Sequence, residues 1–120
     1  MANAAHAFLA TLNPKQNARA TFPFNSYERW NWNYVPKLRS GLARHEMSNA
    51  SLEAADTLIE SGLSDLGLQR AKSVINLERT LGEIERREGI SFVQRSPGEY
   101  YFSVFGIPNS HDPWGWRIDG

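Results

Sequence analysis

The sequence contains no cysteine. Disulfide bridges, thiol nucleophiles and Cys-ligated zinc are excluded together, and the redox compartment is left open. Net charge is absent as well, because 13 basic and 13 acidic side chains cancel. No apolar run approaches the roughly 18 residues that a membrane span needs. Met1 to Leu12 is mildly apolar but holds no Lys or Arg, and polar Asn13-Pro14-Lys15 follows at once. That pattern reads as a helix and not as a secretory signal, which leaves the cytoplasm or export with a signal already removed. Phosphate-binding glycine loops, dinucleotide fingerprints, EF-hands and the Gly-x-Ser-x-Gly elbow are all missing. His45-Glu46 opens like a zinc-protease motif, but Asn49 stands where the second histidine belongs.

What is present is an ordinary globular composition, with 41% hydrophobic and 22% charged residues in 120. The charge is unevenly spread. Residues 1–47 carry six basic and two acidic side chains, whereas residues 48–88 carry five and eight. The early surplus of four is too small for a nucleic-acid footprint. The acidic balance of the middle segment also speaks against a DNA-reading helix–turn–helix between Ser48 and Arg87.

Periodicity gives the elements. Residues 3–12 read as a short helix with Ala7, Phe8 and Leu12 near one face. Asn13 caps a second, which Pro14 opens and which runs to about Ala20. Ser26 caps one turn through Trp30, and residues 26–46 hold no long element. Their aromatics, with Val35 and Leu38, predict an ordered loop packed on something apolar. Ser48 caps a helix with Leu52, Ala55, Leu58 and Ile59 inward, which Gly62 is expected to stop in a left-handed conformation. A longer helix runs from about Leu68 to Arg87, with Ala71, Val74, Ile75, Leu81 and Ile84 buried and Gly89 at its end. The short connection predicts an antiparallel helical hairpin. Tyr100 to Phe105 reads as a strand that is apolar on both faces, and Trp114 to Ile118 as a second. The fold class is therefore α+β: a helical region over 1–95, with an irregular aromatic loop, leads into a β-hairpin or sheet edge over 96–120. Two strands make a marginal sheet, so Tyr100–Phe105 is expected to be covered by the remainder of the domain after Gly120 or by another chain.

Trp30-Asn31-Trp32, Val35-Pro36, Arg39 with Gly41-Leu42, the Leu63-Ser64 junction, Tyr100 to Gly106 with Pro108, and Pro113-Trp114-Gly115-Trp116-Arg117 resemble the bacterial family called domain of unknown function 3500. The resemblance covers nearly the whole chain and implies the N-terminal portion of a larger domain. Relatives continue with a Gly-His-His segment, of which Gly120 would be the glycine. No activity is implied.

Candidate site residues follow from residue type. Trp30/Trp32 and Trp114/Trp116 form Trp-x-Trp pairs suited to stacking on a sugar ring or another planar ligand, or to filling a core. Arg39 and Arg117 lie among these aromatics, and Arg offers bidentate geometry to a carboxylate or phosphate. His111 and Asp112 are two potential metal ligands in a loop, and a metal site would need further ligands from a full-length protein. Two functional classes are expected. One is an aromatic-lined pocket in a hydrolase-like or metal-assisted enzyme completed downstream, with no catalytic residue in this chain. The other is a non-catalytic module that binds a ligand or partner through the Trp-x-Trp pairs.

Overall fold

A computed structural model of the protein describes residues 1–33, 37–90, 96–109 and 111–120. Helix α1 spans Ala2–Ala10 and α2 spans Pro14–Ala20. The second starts where its sequence dictates. Asn13 Oδ1 accepts from the Gln16 amide, Gln16 Oε1 accepts from the Asn13 amide in return, and Pro14 fills the first turn. Strand β1 is Thr21–Phe22 and β2 is Leu42–Ala43. Between them Ser26 caps a 3-10 turn over Tyr27–Trp30, and a second 3-10 turn covers Arg44–Glu46. Helix α3 is Asn49–Gly62, capped by Ser48, and α4 is Asp65–Arg87, capped by Ser64. Strands β3, Tyr101–Phe105, and β4, Gly115–Asp119, follow.

The four strands form one mixed sheet centred on β3. β4 runs antiparallel along one edge, pairing Phe102 with Ile118 and Val104 with Trp116. The other edge is shared. β1 pairs parallel with the end of β3 at Val104 and Phe105, and β2 pairs antiparallel with its start at Tyr101 and Phe102. The sheet is thus fuller than the expected hairpin. Its two extra strands are two-residue segments, too short to leave an alternating signature.

Alternation sorts β3 into two faces. Phe102 and Val104 meet Phe8, Leu42, Ala55, Leu58 and Ile59 in the main core, and Trp114, Trp116 and Ile118 pack against its margin. The Phe8 and Phe102 rings lie 5.6 Å apart, a tilted contact. Tyr101, Ser103 and Phe105 face the other way and are also buried, with Phe105 stacked on Phe22 at 5.4 Å. Every residue of β3 is covered within the chain.

Several expectations need correction. On α1 it is Ala5, not Ala7, that joins Phe8 inside. Gly62 closes α3 as an ordinary helical residue, since left-handed glycines occur only at Gly41, Gly89 and Gly106 among the described residues. α4 buries none of its residues: Val74, Leu81 and Ile84 are exposed, and Ala71 and Ile75 are only partly covered. A Lys72–Glu60 ion pair of 3.0 Å ties the first turns of α4 to the end of α3. The 3.6-residue period identified a helix correctly but not what its apolar side touches.

Two glycines carry different demands. Gly41 has φ of +105° just before β2, and a Cβ there would lie 2.6 Å from Ser103 Oγ and 2.7 Å from the Phe102 carbonyl oxygen. Gly89 has φ of +78° after α4 but open space around it. Gly41→Ala is expected to lower stability by about 3 kcal/mol or more, combining strain with a backbone clash. Gly89→Ala should cost about 1 kcal/mol. Urea unfolding of both variants checks this ordering; equal costs would contradict the packing at Gly41.

Candidate functional site

The outward face of the sheet carries charge on apolar ground. In β4, Arg117 and Asp119 alternate with Trp116 and Ile118, so the register that sends the tryptophan to the core sends both charges to the opposite face. There they meet the irregular segment between β1 and β2. Arg117 donates through Nη2 to Glu28 Oε1 at 2.7 Å and through Nη1 to the Glu28 backbone carbonyl at 2.6 Å. Its Nε lies 2.8 Å from Asp119 Oδ2, and Arg39 Nε lies 3.5 Å from Asp119 Oδ1. Neither contact is an aligned hydrogen bond, so Asp119 is held by charge more than by directed bonding. Arg39 also donates to the carbonyl oxygens of Asn33 and Gly120, both at 3.1 Å.

Two arginines and two carboxylates therefore lie in one buried cluster, with side-chain exposures of 5% for Arg39 and 4% for Asp119. Burial pushes the Asp119 carboxyl above the usual carboxylate range, against the pull of Arg117 and Arg39. Burial also works against ionised Glu28. There the hydrogen bonds from Asn31, Arg117 and Ser40, with the charge of Arg117, outweigh it and hold the group below its ordinary value.

The cluster fixes a surface that the expected loop packing missed. Tyr27, Trp30, Trp32 and Leu38 are exposed, Trp30 at 72% and Trp32 at 64%. Tyr34 and Val35 lie outside the described residues. The Arg29 guanidinium sits 4.0 Å from the Phe24 ring centroid and 4.4 Å from that of Trp30, a cation layered between two rings. The Trp32 amide donates to the Trp30 carbonyl at 2.9 Å, an inverse γ-turn about Asn31 with φ −80° and ψ 55°. Polar side chains interleave with the indoles. Asn31 donates to Glu28 Oε2 at 2.9 Å, and its own Oδ1 accepts from Asn33 at 2.9 Å and Lys37 at 3.2 Å.

The predicted site residues thus fall into three places. Arg39 and Arg117 converge on Asp119. Trp30 and Trp32 share the exposed segment anchored by that cluster. Trp114 and Trp116 do not join them; they are half-buried on the opposite face, where Trp116 covers Gly62 and donates to Met1 Sδ at 3.1 Å. His111 and Asp112 are exposed in a turn whose backbone amides both donate to Asn109 Oδ1 at 2.7 Å. Among the described residues no three His, Asp or Glu side chains gather as metal ligands.

Sequence reasoning missed Glu28 and Asp119. It also missed a second polar group at the start of β3. There Tyr101 donates to Glu99 Oε2 at 2.8 Å, and His45 Nδ1 lies 3.1 Å from Glu99 Oε1 and 3.2 Å from the Gly98 carbonyl. Facing two acceptors, Nδ1 carries the proton in the neutral ring. Burial and Glu99 push the Tyr101 phenol up to about 12. Tyr101 fell within the expected strand, whereas Glu99 lay outside it and His45, 54 residues earlier, gave no local signal.

A family model described as a protein of unknown function (DUF3500) matches residues 1–120. No curated protein and no solved structure matches the chain.

The two acids of the cluster give opposite pH signatures. Asp119 is raised, so the native protein keeps this proton where the unfolded chain, with a value of about 3.9, has lost it. Stability from this group is full below about pH 4 and falls as pH rises through the native value. Glu28 is lowered, so its contribution is full above its unfolded value of about 4.3 and is lost as pH falls through the native one. Asp119→Asn should therefore remove a fall of stability with rising pH, and Glu28→Gln should remove a rise. Urea midpoints from about pH 3 to pH 7 read both slopes. Changes of the same sign would rule out the assignment.

Proposed function

The chain belongs to the DUF3500 family, and from that premise we propose that it acts as a non-catalytic binding module whose contact surface is the exposed segment of Trp30 and Trp32. The ligand class is carbohydrate. One observation carries the reading: two indoles remain in water on a backbone that is anchored from below by four buried charges. Exposed tryptophans on a mobile loop would gain by collapsing onto apolar surface. Here Arg117, bonded both to the Glu28 side chain and to its backbone, holds the 3-10 turn in place. Ordering is thus largely complete before any ligand arrives, which lowers the cost of binding.

The chemistry around the indoles suits a sugar. An aromatic face stacks on the C–H face of a pyranose, while Asn31, Asn33 and Lys37 supply amide and ammonium groups for its hydroxyls. Of the two Trp-x-Trp pairs expected to bind, Trp114 and Trp116 pack against the core margin, which favours a structural role for that pair; the aromatic-lined enzyme pocket is the alternative reading. The N-terminal-portion reading fits the same proposal, since a binding surface complete within this segment needs nothing downstream.

Titration with neutral oligosaccharides of gluco, xylo and N-acetylglucosamine type, followed by tryptophan fluorescence and calorimetry, tests the proposal. Binding to one class is expected, with Trp30→Ala and Trp32→Ala each weakening it about tenfold or more. Both variants should change stability by less than about 1 kcal/mol, because neither side chain is buried. Absence of binding at millimolar sugar, or binding indifferent to both substitutions, would sink it.

A further inference from the structure

Among the described residues, helix α4 carries an apolar seam with no partner. Val74, Leu77, Leu81 and Ile84 recur at intervals of three, four and three residues and are 52%, 62%, 36% and 45% exposed. That spacing is the seam of a coiled coil. The helix's better-covered side lies alongside it, through Leu68, Ala71, Ile75 and Gly82, so the seam remains turned to water. Continuing the same period outward gives Arg70 before Val74 and Glu88 after Ile84.

The total exposed surface supports a missing partner. The chain exposes 7760 Å² at 13.6 kDa, whereas a compact monomer of that mass exposes roughly 6,600 Å². The excess is of the order of 1,000 Å², while a standard interface covers about 800 Å² on each partner. The radius of gyration, 14.8 Å, likewise exceeds the roughly 13.6 Å of a compact 120-residue domain. Covering a seam of this length on a 23-residue helix requires something equally long and straight.

We propose that the partner is a second copy of this chain, with the two α4 helices packed antiparallel about a two-fold axis. Numbering alone fixes the register. Leu77 faces Leu81 of the partner subunit, and Val74 faces the partner's Ile84, so the four-residue seam closes on itself. The same register sets Arg70 against Glu88 of the partner subunit, twice, at the two ends of the interface. An isologous contact has to be self-complementary, and this one joins apolar to apolar and cation to anion. A parallel pairing would instead set Arg70 against the partner's Arg70 and Glu88 against the partner's Glu88. This interface is independent of the tryptophan surface, which lies on another part of the chain.

Light scattering after gel filtration, with the whole chain between about 5 and 300 micromolar, reads the association. A mass of about twice 13.6 kDa is expected at the upper end. Leu77→Glu combined with Leu81→Glu should raise the dissociation constant roughly 100-fold or more. Near-UV circular dichroism of that variant should stay unchanged, since neither residue is buried in the monomer. Arg70→Glu and Glu88→Arg should each weaken association, and the double swap should restore it by re-forming the pair with reversed sign. A monomeric mass throughout the range, a dimer that survives both Leu→Glu changes, or a double swap as weak as the single ones would each overturn the proposal.

Discussion

One constraint organises the fold: β3 is apolar on both faces and cannot stand at a surface. Tyr101, Phe102, Ser103, Val104 and Phe105 are all buried, so the chain has to build two layers around a strand of five residues. The first layer is conventional, with α1 and α3 laying aliphatic and aromatic side chains on Phe102 and Val104. The second is not a regular element. It is the stretch between β1 and β2, which crosses the other face and bonds to it chiefly through arginine and carboxylate. The segment leaves Tyr27, Trp30, Trp32 and Leu38 in water, and guanidinium groups lying over Phe24 and Phe105 do the covering instead.

Charge is an expensive material for a cover. Removing four ionised groups from water costs several kcal/mol each, and mutual attraction repays that only with good geometry. Around Glu28 the geometry is good. Around Asp119 burial outweighs the pull of Arg117 and Arg39, so its carboxyl resists ionisation. What the arrangement provides is position: Arg117 reaches from a sheet strand to a backbone carbonyl in the crossing segment, which fixes the turn bearing Trp30. Hydrophobic packing alone would cover the face but would not set that turn to one orientation, because apolar contacts are non-directional.

Local signals were legible in the sequence and long-range ones were not. Ser26, Ser48, Asn13 and Gly89 act where their residue types said they would, because a cap or a left-handed stop involves only neighbouring backbone. The α+β class and a strand read over Tyr100 to Phe105, which the structure starts at Tyr101, follow from residue composition in the same way. The site was half legible. Arg39 and Arg117 were singled out for being arginines among aromatics, but their partners Glu28 and Asp119 are set by strand register, which a single sequence does not print. The aromatic loop and α4 failed for a shared reason. An apolar side chain was assumed to be inside, and that rule does not run from residue to environment without knowledge of what lies opposite.

The sharing of one β3 edge by β1 and β2 has a consequence for how the chain assembles. Both short strands are made well before their template; the Arg117–Glu28 contact alone joins residues 89 apart. Helices α3 and α4 precede β3 in the chain, and their backbone contacts span only a few residues. Until β3 is made, Phe22, Leu42 and the segment between them have nothing to pair with. The sheet therefore closes in a high-contact-order step, with loop-closure entropy as the principal barrier. Folding speed should depend on how readily β3 finds an edge on each side, and the time during which the early strands stay unpaired is the interval in which they are open to pairing with another nascent chain.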